Sequence, residues 1–165
     1  GEYGRTPDSA SLNVTTAATW ELWGNFYALP LGNNESLIEK GEGGDKSYLI
    51  GNRTGDTLGQ LAIRLASVGN GSSYATYSAS GILDEVQMVT FTNSAAYVNG
   101  QLVTNTMPAT FNLFQSSKDL LIGSSTSGTA YFADKKIGSV KIYNVALTAD
   151  EVLTNYNAQK SLYGL

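Results

Sequence analysis

Lys136–Tyr156 reads KIGSVKIYNVALTADEVLTNY, and the parsing of this run decides the fold. In Val140–Tyr143 the apolar Val140 and Ile142 alternate with Lys141 and Tyr143. A period of two marks a strand with one buried face. Asn144–Leu147 then carry the chain out of the sheet. Thr148, followed three residues on by Glu151, predicts a helix start with a capping box. Asp150 and Glu151 add negative charge to the first turn, where the macrodipole favours it.

Working outward, the same alternation recurs. Thr19–Ala28 (TWELWGNFYA) puts Trp20, Leu22, Gly24 and Phe26 on one face and Glu21, Trp23, Asn25 and Tyr27 on the other. Both faces are partly apolar, as in a central strand covered on both sides. Leu37–Lys40 and Ser47–Gly51 predict a hairpin around GEGGDK. Gly59–Ala66 alternates clearly, and Tyr74–Ser80 predicts a weaker edge strand. Val86–Thr92, Ala95–Val98 and Gln101–Thr104 follow, the last two joined by Asn99-Gly100, a type I′ turn signal. Ser11–Thr15, Phe111–Phe114 and Leu120–Ser124 are further short strands, and Tyr131–Asp134 leads into the closing one. About twelve short strands and one helix predict an all-β, antiparallel β-sandwich. The expected organisation is an N-terminal arm (1–10), one domain (11–158) and a C-terminal tail (159–165).

Composition narrows the chemistry. The 165 residues make one domain by size. Only 15% are charged, and the net charge of −4 argues against a nucleic-acid partner. The absence of Cys removes disulfides and thiolate metal sites. The absence of His removes His-based triads and the commonest general base. No apolar run is long enough to span a membrane, and no signal peptide is seen.

The run IGSVKIYNVALTADEV resembles the closing strand and helix of the laminin-G-like branch of the concanavalin-A-like jelly rolls. There the pattern G-x-D/E-V-R-I-Y-N-R-A-L-S/T-x-x-E is typical. Gly138, Ile142, Tyr143, Asn144, Ala146, Leu147, Thr148 and Glu151 match it, while Ser139 and Val145 depart from it. Thr19, Glu21 and Trp23 also fit, as do Leu37, Ile38, Lys40, Gly41, Tyr48 and Ile50, and the hairpin TFTNSAAYVNGQLV. Leu83–Val86 stand where relatives carry a Trp-His pair. The ending NYNAQKSLYGL is similar to endings in phage and virus particle proteins.

The resemblance implies a jelly roll and several possible roles. Some members cleave polysaccharides with two carboxylates about 5–5.5 Å apart. No run here places acids two apart on one strand face; Asp84 and Glu85 are adjacent and Asp150 and Glu151 lie at a helix start. The expectation is no enzyme. Many members hold calcium, but Asp45, Asp56, Asp119 and Asp134 sit singly in turns and no D-x-D-x-D-G loop occurs. No cofactor is expected, with calcium as the alternative, and the metal residues are left open.

Sugars stack on aromatic faces, and the ten Tyr and two Trp supply Trp23, Tyr27, Tyr74, Tyr77, Tyr97 and Tyr131 as glycan-contact candidates. The competing role for each is packing. Asn13, Asn34, Asn52 and Asn70 head N-glycosylation sequons, though Ser and Thr are frequent enough to give roughly two or three by chance. The expected function is a non-enzymatic structural or adhesion module on the virion, as capsid decoration or fibre, with possible glycan binding. The alternatives are a carbohydrate-binding module of a secreted microbial protein and a subunit of an extracellular filament. The expected partners are other subunits of an oligomeric particle or filament and polysaccharide, with no nucleic acid and no membrane. The expected location is extracellular or on the virion surface.

Overall fold

The computed structural model describes residues 3–26, 34–52, 56–57, 59–67, 74–107, 111–125, 133 and 136–165. In chain order its elements are β1 (Gly4–Thr6), β2 (Thr19–Asn25), β3 (Glu35–Glu42), β4 (Asp45–Asn52), β5 (Gln60–Ala66), β6 (Tyr74–Ser80), β7 (Val86–Phe91), β8 (Ala96–Val98), β9 (Gln101–Thr104), β10 (Leu120–Ile122), β11 (Lys136–Tyr143) and α1 (Ala149–Gln159). Short 3-10 turns sit at Ala10–Leu12 and Lys160–Tyr163.

The strands form two sheets, ordered β1-β10-β3-β4-β5-β6 and β11-β2-β7-β8-β9, and every pairing is antiparallel. The expected sandwich with one C-terminal helix is borne out. Trp20 and Leu22 of β2, Ile38 of β3, Tyr48 and Ile50 of β4, Leu61 and Ile63 of β5, and Val89 and Phe91 of β7 fill the space between the sheets. Each fully buried apolar side chain contributes about 1.5–3 kcal/mol. β11 pairs with β2 in a register that sets Val140 opposite Leu22 and Ile142 opposite Trp20. The inward residues of the closing strand therefore meet the core residues of the central one. A bulge lies between Ile137 and Ser139. Beside it, a Cβ on Gly24 would stand 2.2 Å from the Lys136 carbonyl, so the strands can approach this closely only at a glycine.

Turn chemistry behaves as predicted. Asn99 and Gly100 have φ of 50° and 76°, the left-handed pair that a type I′ hairpin needs between β8 and β9. β6 is an edge strand, as expected. Two predicted strands are not strands. The predicted strand Ser11–Thr15 is replaced by a 3-10 turn at Ala10–Leu12, closed by Leu12 N–H to Ser9 O at 3.0 Å, and by irregular chain at 13–15. Its alternation reflects Leu12 and Val14 packing on the core, not a ladder. Around Phe111–Phe114, Leu113 N–H bonds Thr15 O while Phe114 N–H bonds Ala66 O. Successive amides bond to different segments, so no ladder forms.

The chain ends also differ from the expected arm and tail. β1 pairs with β10 at the edge of its own sheet. α1 runs through 158 and 159 without a break and continues into the Lys160–Tyr163 turn, whose Tyr163 packs back on the sandwich. The approach to the closing strand at 131–132 and 134–135 lies outside the described residues.

Candidate functional site

The outer face of the five-stranded sheet is sealed by α1. Glu21 of β2 is fully buried there. Its Oε1 accepts from Lys141 Nζ at 3.1 Å and Gln159 Nε2 at 3.0 Å, and its Oε2 from Asn155 Nδ2 at 2.9 Å. Lys141 also donates to Gln159. Next to this polar knot, the Trp23 indole stacks on Tyr156 and Tyr163, with ring centroids 5.7 and 4.3 Å away and planes within 8°. Val152, Met88 and Tyr97 complete the cluster.

These contacts correct two of the glycan-contact candidates. A sugar needs an open aromatic face, and Trp23 has none at 0% exposure. Tyr97 is 6% exposed beneath the helix, and burial pushes its phenol pKa up. Tyr77 is half-buried against the main core. Tyr74 opens β6, its backbone paired with Ala66. Tyr27 and Tyr131 lie outside the described residues. Among the sequons, Asn52 closes β4 at 8% exposure, which leaves no room for an attached oligosaccharide. Asn13 and Asn34 are half-buried, and Asn70 lies outside the described residues.

An open site lies on the other sheet. Where β1, β10 and the end of β3 converge, a cleft of about 160 Å³ is lined by Arg5, Gly41, Glu42, Ser117, Lys118, Asp119 and Leu121. Arg5 Nε donates to Asp119, whose other carboxylate oxygen accepts the Asp8 N–H at 3.2 Å. Among the described residues the two terminal nitrogens of Arg5 donate to none. The Arg5 hydrogen bond, helped by the Asp8 N–H and the charge of Lys40, holds the Asp119 carboxyl below its ordinary range. Asp119 in turn raises Arg5, with smaller contributions from Tyr3 and Glu42. Tyr3, two positions before Arg5, is 43% exposed. Ser117 Oγ reaches Asp45 Oδ2 at 3.1 Å, and Gly41 N–H bonds Asp119 O at 3.3 Å.

A buried ammonium supports the cleft from below. Lys40 Nζ donates to Asp8 Oδ1 at 2.7 Å, to Ser116 O at 2.9 Å and to Lys118 O. It ties the segment after β1 to the loop that carries Ser117, Lys118 and Asp119. Sequence reasoning misses this site: Arg5 falls in the expected arm, and Asp119 stands only among the turn acids.

The described residues do not fit a calcium ion. Calcium takes six to eight oxygens. Asp56 is committed to Arg64 Nη2, at 2.7 and 2.8 Å, and Asp119 to Arg5. No group of three or more acidic side chains among the described residues is arranged to hold a metal. Asp134 lies outside them. No helix among them is long and apolar enough to cross a membrane.

Comparison with solved structures gives the same fold. The botulinum neurotoxin serotype G binding domain is similar at a TM-score of 0.68 and 16% identity, over 96% of this chain and 43% of that one. The Ruminococcus gnavus IT-sialidase CBM40 bound to α2,3-sialyllactose is similar at 0.62 and 16%, over 89% and 86%. A botulinum neurotoxin type C structure is similar at 0.60 and 16%, over 87% and 36%. The chain thus spans about two fifths of the toxin chains it resembles. At these identities the likeness shows the fold alone. No curated protein matches the chain. A family profile matches residues 1–153. With its two antiparallel sheets and its capped closing helix, the chain belongs to the laminin-G-like family of the concanavalin A-like lectin/glucanases superfamily.

Proposed function

We propose that this chain is a non-enzymatic glycan-binding module that acts as an adhesive element outside the cell. The observation that carries this reading is the open cleft at the edge of the six-stranded sheet. Arg5 and Lys118 supply donors there, Asp119 and Glu42 supply acceptors, and Leu121 supplies an apolar part of the wall. Sugar hydroxyls need donors and acceptors side by side, with an aromatic or apolar surface for the ring. Support also comes from the neighbours: the sialidase CBM40 is bound to α2,3-sialyllactose, and cell entry of botulinum neurotoxin type C depends on interaction with two ganglioside molecules.

The same cleft suits binding better than hydrolysis. A glycosidase acid must keep its proton until it gives it to the leaving group. Asp119, held ionised by Arg5, is suited to accepting hydrogen bonds. A glycan array is the direct test. Saturable binding that falls at least about tenfold, roughly the loss of one charged hydrogen bond, in Arg5→Ala and Lys118→Ala is the expected outcome. An array silent across polysaccharide classes would overturn the reading. Release of reducing ends from a bound polysaccharide, abolished by Asp119→Asn, would overturn its non-enzymatic part.

A second reading places the module on a larger particle, a virion surface above all. It is favoured by exposed apolar side chains after α1, with Leu162 at 79% and Leu165 at 49% exposure. Where such side chains join in one patch, they mark contact with another protein. Light scattering and electron microscopy of the native source decide it. Oligomers or particles are expected, and a monomer free in the medium removes the idea.

A further inference from the structure

We infer that the cleft beside Arg5 selects an uncharged sugar bearing adjacent hydroxyls and discriminates against sugars that carry a carboxylate. This rests on the reading of that cleft as the glycan site. Charge balance is the first ground. The ionisable side chains that line it are Arg5 and Lys118 against Glu42 and Asp119, which sum to zero. Its most prominent cation is already matched: Arg5 Nε donates to the Asp119 carboxylate. An incoming carboxylate would gain a guanidinium that is partly neutralised and meet two anions on the same walls.

Size is the second ground. At about 160 Å³ the cleft is smaller than the roughly 300–1,000 Å³ of drug-sized pockets and suits one sugar ring. A carboxylate borne on that ring would share the cleft with Asp119 and Glu42. Long-range steering gives no relief, because the whole chain carries −4.

Hydroxyl chemistry is the third. A hydroxyl donates one hydrogen bond and accepts two. A pair on neighbouring ring carbons can donate to the Asp119 or Glu42 carboxylate while accepting from Arg5 or Lys118. Two cationic and two anionic side chains line the cleft. The networks beneath keep Asp119 in place. Asp8 N–H and Arg5 Nε hold its two oxygens, and Lys40 fixes both Asp8 and the Lys118 carbonyl.

Matched pairs of ligands test the idea on the unaltered protein by calorimetry: galactose against galacturonic acid, and glucose against glucuronic acid. The neutral member is expected to bind tighter, on the order of tenfold, the screened repulsion of one added charge in a half-open site. Glu42→Gln is expected to narrow that ratio, because it removes one of the repelling charges. Equal or tighter binding of the acidic member, lost in Arg5→Ala, would overturn the selectivity and leave the glycan-binding role standing. Binding of neither member, with a silent array, would overturn both.

Discussion

Lys40 brings a charge into the protein interior, and its surroundings match it bond for bond. An ammonium has three donors. Asp8 Oδ1, Ser116 O and Lys118 O take them, and the side chain has 0% exposure. In Lys40→Met one carboxylate and two carbonyls lose their partner. We expect a cost of about 3 kcal/mol in urea unfolding, the range for breaking a buried pair. Glycan binding should weaken with it, because the Ser116–Lys118 backbone carries one wall of the cleft. Trp23 makes the opposite prediction for function. Its ring is fully buried against Tyr156 and Tyr163. Trp23→Ala should cost about 3–5 kcal/mol, the range for deleting a large buried aromatic. Below its unfolding transition, however, the variant should bind glycans as the parent does. Loss of binding in a folded Trp23→Ala protein would restore Trp23 as a contact. Nothing within a few residues of Trp23 reports its burial. The residues that cover it lie more than 130 positions further along the chain.

At the scale of elements, α1 is held by polar groups as much as by apolar ones. Val152 is its one fully buried residue. Asn155 and Gln159 reach Glu21, and Tyr156 reaches Trp23. Its start is fixed locally. Thr148 accepts the Glu151 N–H at 3.3 Å, and the Glu151 carboxylate accepts the Thr148 N–H at 2.8 Å. Thr148→Ala should lower stability by about 1 kcal/mol in thermal or urea unfolding, with the sheets intact. The capping box was legible in the sequence because it needs only four consecutive residues. β1 was not legible. It is three residues long and exposed throughout, and its hydrogen bonds come from β10 over a hundred residues away. Ser11–Thr15 misled for the converse reason. Apolar spacing records burial, and a 3-10 turn lying on a core can show the same spacing as a strand.

For the whole molecule, acid is the condition that acts on the cleft and the helix start together. Asp119 and Glu151 both have pKa values below their ordinary range, through the hydrogen bonds of Arg5 and of Thr148. Carboxylates shifted down stabilise the fold above their unfolded pKa, and that contribution is lost as pH falls through the folded value. Without His, no side chain has an unperturbed pKa between about 5 and 8. The urea midpoint should therefore stay level from about pH 8 to 5 and decline below about pH 4. Asp119→Asn and Glu151→Gln should each flatten that decline. A midpoint that falls between pH 8 and 5 would contradict the assignment.

The amino-acid sequence by itself determined the class of fold, the closing strand and its capped helix, the Asn99-Gly100 hairpin and the central place of β2. Each of these is written in residues a few positions apart, where alternation, turn preference and capping act. The tertiary structure alone decided which aromatic rings are sealed and where an open polar cleft lies. Arg5 and Asp119 meet across 114 positions of chain, and only the pairing of β1 with β10 in one sheet brings them together.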